Sequence, residues 1–191
     1  MRAAEKFTSA DPDLLPDDGK RCELVEGELY ISRPTHWQHQ YACGRLSFAL
    51  GNWSDQSGMG EAVMAPGLVF SDSDDVVPDV VWNSHERLKV SLREDGWLHA
   101  APEIIAEVLL PGEAHESFDR VVKLRLYSDR GVQEYWIVDW IRQQVEVYRR
   151  KRNRLTLTAT LHAQDQLASP LLPGFSCEVA RLFFSLTSQK R

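Results

Sequence analysis

Two short apolar runs each carry a single acid where the neighbours leave it little water: VVPDVVW, with Asp79 at its centre, and EIIAEVLL, with Glu107 at its centre. Side chains on a strand alternate faces, so Val77, Asp79 and Val81 share one face and Pro78, Val80 and Trp82 the other. By the same count Ile105, Glu107 and Leu109 lie opposite Ile104, Ala106 and Val108. Runs that are apolar on both faces read as central strands of a covered sheet. A polar group buried there costs on the order of 2–7 kcal/mol, and a charge more, unless it is paired, protonated or bound to a metal. Two such acids on neighbouring strands imply a cation between them.

The rest of the chain supplies the layers that cover such a sheet. CELVEGELYIS gives two strand-like runs around Glu26-Gly27, a hairpin. From His36 to Gln56, Cys43, Leu46, Leu50 and Trp53 recur at helical steps, and Ser57, Gly58 and Gly60 end the helix. Glu61 to Phe70 reads as one strand, SDSDD as a turn, and Val76 to Trp82 as its hairpin partner. Residues 83–101 are a polar excursion, and Pro111-Gly112 closes the Glu107 strand. A helix from Ser117 to Asp129 follows, then the β-rich EYWIVDW and a hairpin, QQVEVYRR and RLTLTATL, around KRN. DQLASPLLPGF reads as an extended tail and CEVARLFFSL as a short closing helix. A strand–helix–strand unit among hairpins predicts an α/β (α+β) fold with a mixed sheet flanked by helices. Residues 1–20 read as a flexible arm and residues 21–188 as a single domain.

Composition sets limits on the partners. A charge of -6, from 28 acids against 22 bases, argues against a protein that coats nucleic acid nonspecifically, though not against a local basic patch. Cys22, Cys43 and Cys177 lack metal-finger spacing and read as reduced thiols of a cytoplasmic protein. No apolar run approaches the length of about 18 residues that a membrane span needs, so no membrane partner is expected.

The Ser117–Asp129 helix carries Asp119 and Lys123 four residues apart, on one face. Lys123, between Val122 and Leu124, wants a carboxylate nearby. Two strand acids and a lysine suit phosphodiester hydrolysis: the acids hold a hard divalent cation such as Mg2+, with Mn2+ as a substitute, and the lysine orients water or stabilises the developing oxyanion. Blander readings exist for each residue. Asp79 after Pro78 caps a strand end, Glu107 meets an arginine, and Asp119–Lys123 is an exposed ion pair worth ~0.3–0.5 kcal/mol. Glu23, His39 and Glu134 are candidate outer residues of the site, and His39 with Cys43 has the spacing of half a zinc site that no second pair completes. The basic run Arg149, Arg150, Lys151, Arg152 and Arg154 reads either as a solvated turn or as a set of phosphate contacts.

The segments PDVV, EIIAEVLLP and FDRVVKLRLYSDRGVQEYWIVD resemble the Uma2 family of restriction-endonuclease-like proteins, a group with the PD-(D/E)xK nuclease fold. The likeness runs from ELVEGEL at Glu23 to SPLLPGF at Phe175. It implies that Asp79 and Glu107 are metal ligands and that Lys123, on the helix, replaces the lysine usually carried by the second strand. Leu109 stands where the general pattern has that lysine, and Leu110 stands where the family usually has serine. The resemblance implies a metal-dependent endonuclease acting on DNA, with a homodimer expected by analogy with the fold. A catalytically inactive nuclease-fold module that binds nucleic acid or protein is the alternative, and a small-molecule phosphoesterase a third.

Overall fold

A computed structural model describes residues 6–9, 11, 21–32 and 36–185. Two antiparallel strands open it, β1 (Arg21–Val25) and β2 (Glu28–Ser32). Their turn needs two residues at positive φ, and Glu26 (53°) and Gly27 (76°) provide them, as expected for a two-residue hairpin. The expected arm, residues 1–20, lies outside the described residues except at 6–9 and 11. There Phe7 N–H donates to the Gly27 carbonyl at 2.9 Å and Ser9 N–H to that of Asp72 at 2.8 Å.

Helix α1 (Trp37–Ser57) is capped by the His36 ring, which accepts from Gln38 N–H, and ends on Gly58 in the left-handed conformation. The stripe read from the sequence is its buried face: Ala42, Cys43, Leu46, Leu50 and Trp53. Leu46 and Leu50 are fully buried, and each such side chain contributes about 1.5–3 kcal/mol.

The expected hairpin of two long strands is instead a ribbon that breaks and serves two sheets. Its outward limb is β3 (Gly60–Met64) and β4 (Leu68–Ser71), and its return limb is β5 (Asp74–Val76) and β6 (Val80–Ser84). The break has a local cause. Ala65 takes a positive φ (48°), Pro66 and Gly67 follow, and Pro78 on the return limb has no N–H for a ladder. The last rung before it runs from Ala65 N–H to the Asp79 carbonyl, 3.1 Å. Asp79 is therefore not mid-strand; it sits in the kink immediately before β6.

After helix α2 (His85–Ser91) come β7 (Ile104–Val108), α3 (Glu113–Ser117), a π-helical stretch (Phe118–Lys123) and α4 (Leu124–Arg130). Helical structure thus begins four residues before the expected Ser117, because its first turn is exposed and carries no apolar pattern to read. Strands β8 (Glu134–Asp139), β9 (Gln144–Lys151) and β10 (Arg154–His162) follow as expected, then the short pair β11 (Gln166–Leu167) and β12 (Cys177–Glu178) and a 3-10 turn (Val179–Leu182).

The main sheet has the order β10-β9-β8-β7-β6-β3, with β7 and β8 parallel and the other neighbours antiparallel. A smaller antiparallel sheet has the order β2-β1-β5-β4. Alternation sorts the main sheet's side chains as the sequence implied. Val80, Trp82, Ile104, Ala106 and Val108 pack with α1 and the C-terminal segment. Val81, Ile105 and Leu109 pack on the other face with α4 and with Val25, Leu68 and Val76 of the small sheet. Glu107 belongs to that second face, where the small sheet and the helix close over it. Among the described residues no helix is long and apolar enough to cross a membrane.

Candidate active site

Glu107 is the fourth residue of β7 and is 1% exposed; Asp79, 4% exposed, lies beside it at the kink. The backbone links them. Asp79 N–H donates to Glu107 Oε2 at 3.2 Å, and Val108 N–H donates to Asp79 Oδ2 at 2.9 Å. Because the ribbon leaves the main sheet at Pro78, the strand that would otherwise cover this edge turns away and the two carboxylates face a cavity of about 310 Å³.

The π-helical stretch supplies the lysine. Wider turns of this kind occur often at functional sites; here Asp119 and Lys123 both point inward, and the Tyr135 hydroxyl donates to the Asp119 carbonyl at 3.0 Å. Lys123 Nζ lies 2.9 Å from Glu107 Oε1, 2.9 Å from Glu23 Oε1 and 3.7 Å from Asp119 Oδ1, and the side chain is 2% exposed. The Asp119–Lys123 pair is thus not an exposed bridge. Glu23 arrives on β1 and also accepts from Val77 N–H at 3.0 Å.

Sequence reasoning missed two further partners. Tyr127 donates its hydroxyl to Glu107 Oε1 at 2.7 Å, and Arg21 donates Nη1–H to Asp79 Oδ1 at 2.7 Å. Tyr127 stands in the helix segment that carries the family resemblance but shows no role there, and Arg21 carries no signal, since both meet the acids only through tertiary packing.

His39 presents Nε2 to Asp79 Oδ2 at 3.1 Å and Nδ1 to Cys43 Sγ at 3.5 Å. These three buried side chains form a group whose donor atoms lie within 4.8 Å of one another. Thiol and carboxylate engage different nitrogens of the one ring, so in this arrangement His39 cannot join both to a single ion. Burial also pushes the Cys43 thiol up, with Asp79 and Glu107 adding to the rise. The group works as a brace that orients His39 against Asp79.

Among the described residues four carboxylates line the cavity (Glu23, Asp79, Glu107 and Asp119) against two full cations, Arg21 and Lys123. Burial pushes the Glu107 carboxyl up to about 7; Lys123 opposes the rise, and Asp79 and Glu23 add to it. Asp119 is raised in the same way, first by burial. Burial would raise Asp79 too, but His39, Arg21 and Lys123 outweigh it and hold that carboxyl below the ordinary range. Burial alone would lower Lys123; Glu107, Glu23, Asp119 and Asp79 reverse this and keep it an ammonium. The surplus of acid oxygens fits a hard divalent cation, which would relieve the crowding that raises Glu107 and Asp119.

Glu134, expected near this group, lies elsewhere. It pairs with Ile104 at the beginning of β7, whereas Glu107 lies near its end. There it accepts from Trp136 Nε1, Arg149 Nε and Ser169 Oγ at 2.9, 3.0 and 2.9 Å. The basic run sits at that same far end. Arg149 is tied to Glu134 and to the Ala168 carbonyl, and Arg150 donates to the carbonyls of Tyr127, Ser128 and Val132 at the end of α4. Lys151, Arg152 and Arg154 remain exposed at the β9–β10 tip.

Comparison with known proteins agrees with this architecture. A crystal structure titled a putative nuclease belonging to DUF820, from Anabaena variabilis ATCC 29413, superposes with a TM-score of 0.74 at 18% identity, covering 93% of this chain and 97% of that one. The type IIG restriction endonuclease BpuSI aligns with a TM-score of only 0.40 at 14% identity, over 75% of this chain and 14% of that one, which adds nothing to the argument. No curated protein matches the sequence. The model of the Uma2 family, described as "Putative restriction endonuclease", matches residues 9–180, and the chain belongs to that family.

Proposed function

We propose that this protein is a metal-dependent endonuclease that hydrolyses phosphodiester bonds of DNA, with Asp79 and Glu107 as the ligands of Mg2+, or of Mn2+ in its place. One observation carries the reading: two buried carboxylates, bridged through the Asp79 backbone N–H, share a cavity wall with a buried lysine 2.9 Å from Glu107. A divalent cation there supplies a Lewis acid for a phosphoryl oxygen and lowers the pKa of water. The protein's own groups do the remainder. Lys123 stays charged and so acts as a donor, orienting the attacking water or stabilising the developing oxyanion. Glu23 and Asp119 hold Lys123 in place, and His39 fixes Asp79 Oδ2. Duplex DNA is the proposed substrate, cut by a homodimer with one site per strand.

The test is cleavage of supercoiled plasmid with Mg2+, with Mn2+ and with chelator, for wild type beside Glu107→Gln. Nicking that requires metal and disappears in the variant supports the reading. The second reading, a catalytically silent binding module, draws on the fact that the oxygens of Asp79 and Glu107 already accept hydrogen bonds from protein donors. In that case neither protein cuts, and Mn2+ leaves the wild-type melting temperature unchanged.

A further inference from the structure

One cation on the cavity wall has no part in the mechanism above. Arg21 opens β1 and donates to Asp79 Oδ1, yet its side chain is 23% exposed where that of Asp79 is 4%. Burial would lower its pKa, but Asp79, Glu107 and Glu23 raise it instead, so the guanidinium is charged at any working pH. Lys123, the other full cation of the cavity among the described residues, is enclosed between Glu23 and Glu107. Among the described residues Arg21 is therefore the cation that an entering anion reaches first.

The two oxygens of Asp79 are held in different ways. Oδ2 is fixed from within, by Val108 N–H at 2.9 Å and His39 Nε2 at 3.1 Å. Oδ1 accepts from Arg21, on a side chain whose stem reaches water. A divalent cation on Oδ1 and a guanidinium 2.7 Å from the same oxygen would repel one another. A guanidinium is also the side chain whose planar fork matches two oxygens of a phosphate. We propose that Arg21 is a phosphate clamp that changes partners: it holds Asp79 Oδ1 while the carboxylates lack a cation, and it turns to the non-bridging oxygens of the strand when cation and nucleic acid are bound. The proposal rests on the nuclease reading and adds to it an electrostatic contest at Asp79.

Titration calorimetry with Mn2+ alone, and fluorescence anisotropy of a short fluorescein-labelled duplex in Ca2+, test it on the full chain. Arg21→Ala is expected to bind Mn2+ roughly fivefold more tightly, the scale of relieving a partly screened charge contact. It is expected to bind the duplex roughly tenfold more weakly, as for losing a hydrogen bond to a charged group. Arg21→Lys keeps the charge and loses the fork, so it should keep the wild-type Mn2+ affinity and lose duplex affinity. If Arg21→Ala unfolds by circular dichroism, Arg21→Gln takes its place with the same expectations. Mn2+ binding that is unchanged or weaker in the neutral variant, or duplex binding that is unchanged, overturns the clamp alone. A wild type that binds no Mn2+ overturns the nuclease reading and the clamp with it.

Discussion

Glu134 and Glu107 are buried to nearly the same degree, 2% and 1% exposed, on the two strands of the parallel pair in the main sheet. Around Glu134 one carboxylate meets an indole N–H, a hydroxyl and a guanidinium, so donors outnumber acids. Around Glu107 three donors also serve the carboxylate, but charge is out of balance: among the described residues four carboxylates crowd two full cations beside a cavity. A satisfied acid holds two pieces of chain together, whereas a surplus of acid is useful only if something from outside neutralises it. Burial alone does not separate a structural carboxylate from a candidate metal ligand; the local balance of charge does.

The most direct way to break this comparison is to neutralise each acid in turn. Glu107→Gln is expected to lose metal-dependent nicking by roughly 10³-fold, equivalent to about 4 kcal/mol of transition-state stabilisation. At neutral pH the chelated variant should meanwhile unfold in urea at or above the wild-type midpoint. Glu134→Ala should behave in the opposite sense. It is expected to cost about 3 kcal/mol in urea unfolding, the lower end for breaking a buried pair because Arg149 retains some hydration. Its nicking rate per folded molecule should stay close to wild type. If both variants lose activity and neither loses stability, the contrast is wrong.

Smaller changes sharpen it. Arg150→Ala removes the guanidinium that closes three carbonyls at the end of α4 and is expected to cost about 1–2 kcal/mol without altering duplex affinity. Arg152→Ala, at the exposed tip, should change stability by less than about 0.5 kcal/mol. A loss of duplex affinity in Arg152→Ala would support the tip as a phosphate contact.

The acids also differ in the sign of their pH dependence. Glu107 has a folded value near 7, above the ordinary glutamate value, so between the two the folded chain holds more protons than the unfolded one. Its contribution to stability is present at low pH and lost as pH rises toward 7. Asp74 runs the other way. Burial would raise it, but Glu26 N–H, the Ser71 hydroxyl and Arg130 outweigh that and lower it, so its contribution is present above about pH 4 and lost on acidification. Urea midpoints in chelator across pH 3 to 8 should show Glu107→Gln flattening the neutral limb and Asp74→Asn the acid limb.

Much of this was legible from local pattern. Glu26-Gly27 announces its turn, the α1 stripe its buried face, and the alternation through Ile104–Val108 the side on which Glu107 lies. What stayed hidden was whatever depends on partners distant in sequence. A ribbon that bends from one sheet into another keeps the same alternation on both sides of the bend, so the kink that carries Asp79 looked like mid-strand. Glu134 was misplaced because sequence gives no register between β7 and β8. The contacts of Arg21 and Tyr127 with the acids stay hidden because they depend on partners 58 and 20 residues away.

The β1–β2 hairpin brings Arg21 and Glu23 to residues far along the chain, Asp79 and Lys123. Closing loops of that length yields its reward late, because chain entropy must be surrendered before such contacts form. A growing chain can therefore build α1 and the first strands long before Lys123 exists to sit between Glu23 and Glu107. The cluster around Glu107 is a late product of folding, and a ribosome-bound chain that has not reached Lys123 carries the acids without the ammonium that pairs with them.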